Sequence, residues 1–452
     1  MPNLAPRAML LTAALLLVPA ASPRAADLAI SGASILDATQ EQARRNQVIL
    51  IEDGRIVRVG DVDEITVPDG TRVIEAREKW VIPGLIDAHV HFFQSGGLFT
   101  RPDMIDLRHI RPYAEEIRRI RTTIDSALAR YIAAGITGVV DMGGPLWTFD
   151  VRERAAGLTW APRVAVAGPL LGTMAPPEIS ALDDPPILHI ETPEEARRAV
   201  EDILGHGPDV LKVWVVSASR LEADLDWVRV VVNMAEDASV PVVAHATERQ
   251  IAETVVDVGI DILGHGVDDR PIDDGLLAEM LVEDVVYMTT LMVGEGYREV
   301  LGADVRLTEI ERRLGDPEVI ASWSRLPRSL AFATPAVSRA EAENLRRVAD
   351  RGITVAAGSD AGNIGTLHGP ALHREMELMA EVGLMTHQVI AAATLGGAKA
   401  MGRADELGTV EEGKIADLVI LNADPLQDIR NTRTIHRVIK GGQVLDPALC
   451  CE

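Results

Sequence analysis

The chain has 452 residues, 47% hydrophobic and 25% charged, a make-up that excludes a disordered polymer and leaves enough apolar material for a large core. Its formal net charge of −24 would repel phosphate backbones and anionic lipid, which argues against nucleic acid and membrane surfaces as partners. At this length one large domain with a smaller companion is the first expectation.

The first residues, through Ala26, set Arg7 before an apolar run from Met9 to Val18, then small residues mixed with Pro and Arg, the order of an export signal peptide. The run is too short for a stable bilayer anchor, and no later stretch is apolar for long enough to span one. A periplasmic or secreted protein, with no membrane in its mature form, is therefore expected. Residues 27–83 read as strands and turns, with an Asp-Gly turn at Asp53 and Gly54. Residues 404–452 have the same character in ADLVILNADP and TIHRVIKGGQVL, so both ends of the chain are expected to share a small β-sandwich. Cys450 and Cys451 are adjacent at the tail, form no disulfide framework, and have no histidine nearby with which to build a zinc site.

Residues 84–403 are of another kind. Eight short apolar strands, GLIDAHVH, GITGVVDMG, RVAVAGPLL, DVLKVWVV, VPVVAHAT, DILGHG, VVYMTTLM and TVAAGSDAG, alternate with amphipathic helices such as PEEARRAVEDIL and AEAENLRRVADRG. The pattern predicts an α/β fold of parallel βαβ units, closed as a (β/α)8 TIM barrel, with a doubly wound open sheet as the runner-up. Three connections are long enough to shape a site: FFQSGGLFTRPDMIDLR, APPEISALDDPP, and the segment from Gly294 to Pro327.

Chemistry concentrates at the strand ends. His89 and His91 stand two apart, so the period of a strand points both imidazoles the same way. His245 ends the fifth strand, His265 the sixth and Asp360 the eighth, where barrel enzymes carry their working groups. Imidazole nitrogen and carboxylate oxygen suit zinc and similar divalent ions. Any one of these histidines could be a satisfied core residue; ligands at four strand ends point to a metal. Lys212, in DVLKVWVV, is the oddity, because an ammonium on an apolar strand is costly and cannot ligate a metal. It reads as a Schiff-base lysine, as an outward lysine paired with a helix carboxylate, or as a lysine converted by carbon dioxide to a carbamate that bridges two ions.

VIPGLIDAHVHF, the lysine of DVLKVWV, the histidines of VVAHAT and ILGHG, AAGSDAG and the tail ATLGGAKAMGRADELGTVEEGKIADLVILNADP together resemble the amidohydrolase superfamily, in its branch with a carboxylated lysine and two metals. The resemblance extends to secreted prolidases, Xaa-amino-acid dipeptidases and imidazolonepropionase-like members. It implies two divalent ions, zinc foremost: His89, His91 and Asp360 on the buried one, His245 and His265 on the exposed one, and Lys212, as N6-carboxylysine, between them. It further implies that the pair lowers the pKa of water from about 15.7 toward about 7, so that a bridging hydroxide attacks the substrate while Asp360 moves the proton. The resemblance implies that His368 touches substrate, with a helix-start histidine an equal reading; Tyr297 and Arg298, after the seventh strand, are candidate binders of a substrate carbonyl or carboxylate, with a solvent-exposed loop the plainer reading. The reaction expected is hydrolysis of a C–N amide bond in a small molecule, a dipeptide or N-acyl amino acid. Cyclic amides, carbamates and lactones are the alternative substrates, and a non-catalytic barrel used for binding or assembly is the rival of another class. A homo-oligomer is compatible with these features.

Overall fold

The computed structural model describes residues 26–331 and 337–448; the expected export signal, Ala26 apart, and Cys450 and Cys451 lie outside them. Strands β1 (Leu28–Ile35), β2 (Arg44–Glu52), β3 (Arg55–Asp61), β4 (Arg72–Glu75) and β5 (Trp80–Pro83) come first. Asp53 and Gly54 take positive φ, 49° and 75°, the two-residue turn whose twist matches that of paired strands. It sets Glu52 opposite Arg55.

The barrel strands follow: β6 (Leu85–Val90), β7 (Ile136–Asp141), β8 (Arg163–Val166), β9 (Leu170–Gly172), β10 (Ile187–His189), β11 (Leu211–Trp214), β12 (Val242–His245), β13 (Ile262–Leu263), β14 (Val286–Thr289) and β15 (Val355–Ala357). Every pairing among them is parallel. β6 and β7 are buried at all positions, as strands covered on both faces must be. The third of the eight expected strands is broken where Gly168 takes a φ of 77° ahead of Pro169, which has no N–H to donate. Its first half, β8, therefore pairs with β7, and its second half, β9, with β11. At the opposite seam the Asp360 N–H donates to the His89 carbonyl and the His91 N–H to the Ala361 carbonyl, both at 2.8 Å, joining the eighth strand to the first. The backbone that closes this seam is that of the expected ligands.

The helices bury one stripe each against the strands. In Pro193–Gly205 the stripe is Ala196, Val200 and Ile203, and Thr192 with Glu195 closes a capping box at its start; losing the Thr192 hydroxyl would cost about 1 kcal/mol. A separate apolar cluster including Val140, Ala165, Val243, Ile262, Val286 and Met288 fills the barrel on the strand face that carries Lys212, whose direct cross-strand partner is Val243.

β16 (Leu418–Leu421), β17 (Ile435–Lys440) and β18 (Gln443–Leu445) return the chain to its beginning. β16 pairs antiparallel with β5, Ile420 opposite Val81, so both ends build one eight-stranded sheet in the order β18-β17-β16-β5-β1-β2-β3, with β4 on β1. Among the described residues no helix is long and apolar enough to cross a membrane.

Candidate metal centre

All six expected ligands line one cavity at the C-terminal mouth of the barrel. His89 comes from β6 and His91 follows it directly, Lys212 is on β11, His245 ends β12, and His265 and Asp360 lie just past β13 and β15. His89 Nε2 stands 3.8 Å and His91 Nε2 3.2 Å from Asp360 Oδ1. One ligand atom from each of the three falls within 4.8 Å of the others, close enough to share an ion. The ring of His265 lies 4.7 Å from that of His89 and 4.2 Å from that of His245, so the histidines form one continuous patch.

The surrounding backbone aims these rings. His89 Nδ1 donates to the Gly264 carbonyl at 3.0 Å and His91 Nδ1 to the Gly143 carbonyl at 2.7 Å. A carbonyl can only accept, so the proton sits on Nδ1 and the Nε2 lone pair is left for a metal. His265 Nδ1 lies 2.8 Å from Thr290 Oγ1. Two glycines supply the room. A Cβ on Gly264 would fall 2.5 Å from Lys212 Nζ, and one on Gly358 would fall 2.5 Å from the Cβ of His89. Asp360 itself takes a φ of 55°, unusual for a residue with a side chain and of the kind that gathers at working sites. Its backbone bond to His89 and a 2.7 Å bond from Asn363 Nδ2 to its Oδ1 hold it there.

Burial lowers the Lys212 amine to about 7, against the opposing pull of the Asp360 carboxylate. Burial, with Lys212 as neighbour, lowers His245 to about 3 and holds His89 well below the imidazole range; burial and His245 do the same for His265. These three are neutral rings with free lone pairs. The Asp360 carboxyl lies below the usual carboxylate range, although burial alone would raise it.

Two atoms complete the picture. His89 Nε2 and Lys212 Nζ are buried without any hydrogen-bond partner, a state that costs about 1–3 kcal/mol per group unless something else occupies their lone pairs. Four imidazoles, a carboxylate and a neutral amine around these atoms fit divalent metal ions.

The two expected substrate contacts are placed differently. His368 is buried and stacked on Phe92, its Nδ1 is 2.8 Å from the Tyr131 hydroxyl, and its Nε2 is 2.8 Å from the Gln94 carbonyl. With both nitrogens engaged and its ring outside the cavity lining, it acts as a brace for the Gln94 loop. Tyr297 lies on the helix Leu291–Leu301 and not on an open loop; its hydroxyl donates to Asn363 Oδ1 at 2.9 Å, so it reaches the site through Asn363. Arg298 pairs with Glu295, at 2.9 and 2.7 Å. The long connection after the first strand does shape the cavity, through Phe93, Gln94, Arg101 and Asp103, and the Pro-rich connection supplies Ile179. Arg101, Asp103 and Asn363 were not singled out by sequence reasoning; only their place in loops beyond strand ends marked them.

Residues 80–445 match the model of the Amidohydrolase family. The chain is 26% identical to a 5-methylthioadenosine/S-adenosylhomocysteine deaminase of Natronomonas pharaonis, with 92% of each chain covered. It is 27% identical to an imidazolonepropionase of Symbiobacterium thermophilum, over 93% of this chain and 98% of that one. Among solved structures it superimposes on molinate hydrolase with a TM-score of 0.72 at 23% identity, over 93% of this chain and 95% of that one, a likeness of fold.

Proposed function

The chain belongs to the amidohydrolase family, and on that premise we propose that it is a hydrolase of C–N bonds that works with two divalent ions. The observation that carries this reading is the pair of buried, unpartnered atoms, His89 Nε2 and Lys212 Nζ, in a cavity lined by four further potential ligands, His91, His245, His265 and Asp360. His89, His91 and Asp360 would hold one ion and His245 and His265 the other. Lys212 would lie between them as a carbamate, formed when its neutral amine bonds the carbon of carbon dioxide and gives up a proton. An amine lowered to about 7 is about half in the neutral form that can do this near neutral pH, against well under about 1% for an ordinary lysine.

Bound there, the ions would polarise the substrate carbonyl and lower the pKa of the attacking water. Asp360 accepts that water's proton and returns one to the leaving nitrogen. Asn363 Nδ2 fixes the carboxylate for both transfers, and the Nδ1 bonds of His89 and His91 keep their rings from turning away.

A second reading, hydrolytic deamination, draws on the relative named as a deaminase and also breaks a C–N bond. Lys212 favours the first, because a bridge is needed only where two ions sit. The substrate classes compatible with amide hydrolysis are dipeptides or N-acyl amino acids, which carry a carboxylate, and neutral amides or carbamates; lactones, the other alternative, would be cleaved at C–O. Metal analysis of the loaded protein should give about two ions per chain, since four imidazoles, a carboxylate and a bridge exceed one tetrahedral zinc. A product screen over dipeptides, N-acyl amino acids, hydantoins, lactones and aminopurines should give cleavage of an acyl C–N bond. Full activity at one ion per chain, or ammonia as the only product, would overturn the reading. The export signal expected before Asp27 is tested by N-terminal sequencing of the protein from periplasm or medium.

A further inference from the structure

Besides the histidines, four charged side chains line the cavity among the described residues: Arg101, Asp103, Lys212 and Asp360. Lys212 and Asp360 belong to the ligand set. Arg101 and Asp103 belong to each other. Arg101 Nε donates to Asp103 Oδ1 at 2.9 Å and Oδ2 at 3.1 Å, and Nη2 donates to Oδ2 at 2.6 Å. Nη1 donates to Asn363 Oδ1 at 2.6 Å and to the Tyr297 hydroxyl at 3.3 Å. Most of the guanidinium's five N–H groups are thereby committed, and its charge is matched in place by a carboxylate whose side chain is 8% exposed. A substrate carboxylate seeking Arg101 would have to break this bidentate pair and leave Asp103 beside it as an unpaired like charge.

Apart from Gln94 and Asn363, the remaining wall is apolar. Leu170, Ile179 and Ile187 are buried in one cluster, with Trp214 packed against it, and all four line the cavity. Exposed hydrophobics lie on the same chain segments: Met104 and Ile110 follow Arg101, and Met174 precedes Ile179.

We propose that the substrate is uncharged: a neutral amide or carbamate whose apolar substituent seats against Leu170, Ile179, Ile187 and Trp214. Arg101 is then no carboxylate receptor but a positioning residue, which through Asn363 holds Asp360. The proposal rests on the hydrolase reading and narrows its substrate to one of the two classes.

Three chromogenic anilides test it on the metal-loaded full chain: hexanoyl 4-nitroanilide, the same compound with a carboxylate at the end of the acyl chain, and the same compound with a carboxylate on the ring. The uncharged member should have a kcat/KM about tenfold or more above either acid, the equivalent of about 1.4 kcal/mol. Equal or better cleavage of either acid would overturn the proposal and leave the hydrolase reading standing. Calorimetric binding of the same three compounds gives an answer independent of turnover. Tightest binding of the neutral compound without cleavage would count against the hydrolase reading alone, whereas failure to bind it, or tighter binding of an acid, would count against the neutral-substrate proposal. Asp103→Asn, which releases Arg101, should shift the binding ratio about fivefold or more toward the acids; an unchanged ratio would remove Arg101 and Asp103 from the account of specificity.

Discussion

Lys212 and Glu375 are both fully buried and both shifted toward neutrality by that burial, the amine down to about 7 and the carboxyl up to about 8. Their surroundings part them. The Glu375 carboxyl accepts from Thr289 Oγ1 at 2.5 Å and from the Met292 N–H at 2.7 Å. His368 and His373, lowered to about 4, are likewise fully engaged, His373 with Thr432 Oγ1 at 3.0 Å and the Ala134 carbonyl at 2.9 Å. At the barrel mouth Lys212 Nζ and His89 Nε2 have no partner. Burial and shifted acidity are common to both regions, so neither alone marks a working site; at the mouth they coincide with two unpartnered atoms inside a cluster of six potential ligands, which the other region lacks.

The most severe break of this contrast is Lys212→Ala. It should abolish turnover by several orders of magnitude and remove metal with it, while acetate or propionate restores part of both by occupying the bridge. Rate and elemental analysis with and without bicarbonate and added acid check this. Full metal content with normal turnover would reduce Lys212 to a core residue like Glu375. Asp360→Asn should cut kcat by about 10²–10⁴-fold, the usual worth of a positioned acid–base group. It should also retain much of the metal, since the amide oxygen still ligates; near wild-type turnover across pH would free Asp360 from proton transfer.

The satisfied region should respond in the opposite currency. His368→Phe removes two buried hydrogen bonds and should lower stability by about 1–3 kcal/mol in urea unfolding, with kcat reduced far less than in Asp360→Asn. A collapse of kcat at unchanged stability would return His368 to the substrate-contact role. The smallest effect belongs to Glu375→Gln, which mimics the protonated carboxyl and should sit within about 1 kcal/mol of the wild type near pH 4, where the glutamate is protonated in the folded state and largely so in the unfolded one. Its signature is a slope. Because the folded pKa of Glu375, about 8, exceeds the ordinary carboxylate value of 4.5, the folded state holds a proton that the unfolded chain has released. This group's contribution is therefore full below pH 4.5 and falls as pH rises toward and through 8. The glutamine variant should lose that portion of the decline in melting temperature between pH 5 and 8; identical slopes would show that Glu375 does not titrate there.

The gathering of the candidate ligands in one cavity was legible in the sequence because strand geometry converts spacing into direction. His89 and His91 point one way by the period of two, and His245, His265 and Asp360 each sit where an apolar run stops. The Asp-Gly turn and the sharing of one sheet by both chain ends were legible for similar local reasons. His368 and Tyr297 were not, because their meaning depends on partners remote in sequence: Tyr131 lies 237 residues from His368, and Asn363 lies 66 from Tyr297.

What the sequence determined by itself was the parallel barrel, its family resemblance and which six side chains would gather at one mouth, since hydrophobic period and strand-end position act over a few residues. The tertiary structure alone decided which buried groups are satisfied and which are not. It joined Arg101 to Asn363 across 262 residues, placed the Gly264 carbonyl on His89 across 175, and left Lys212 Nζ and His89 Nε2 without partners. Hydrogen bonds are directional and short-ranged, so whether a polar atom finds one depends on where distant segments of the chain come to rest, which no local pattern encodes.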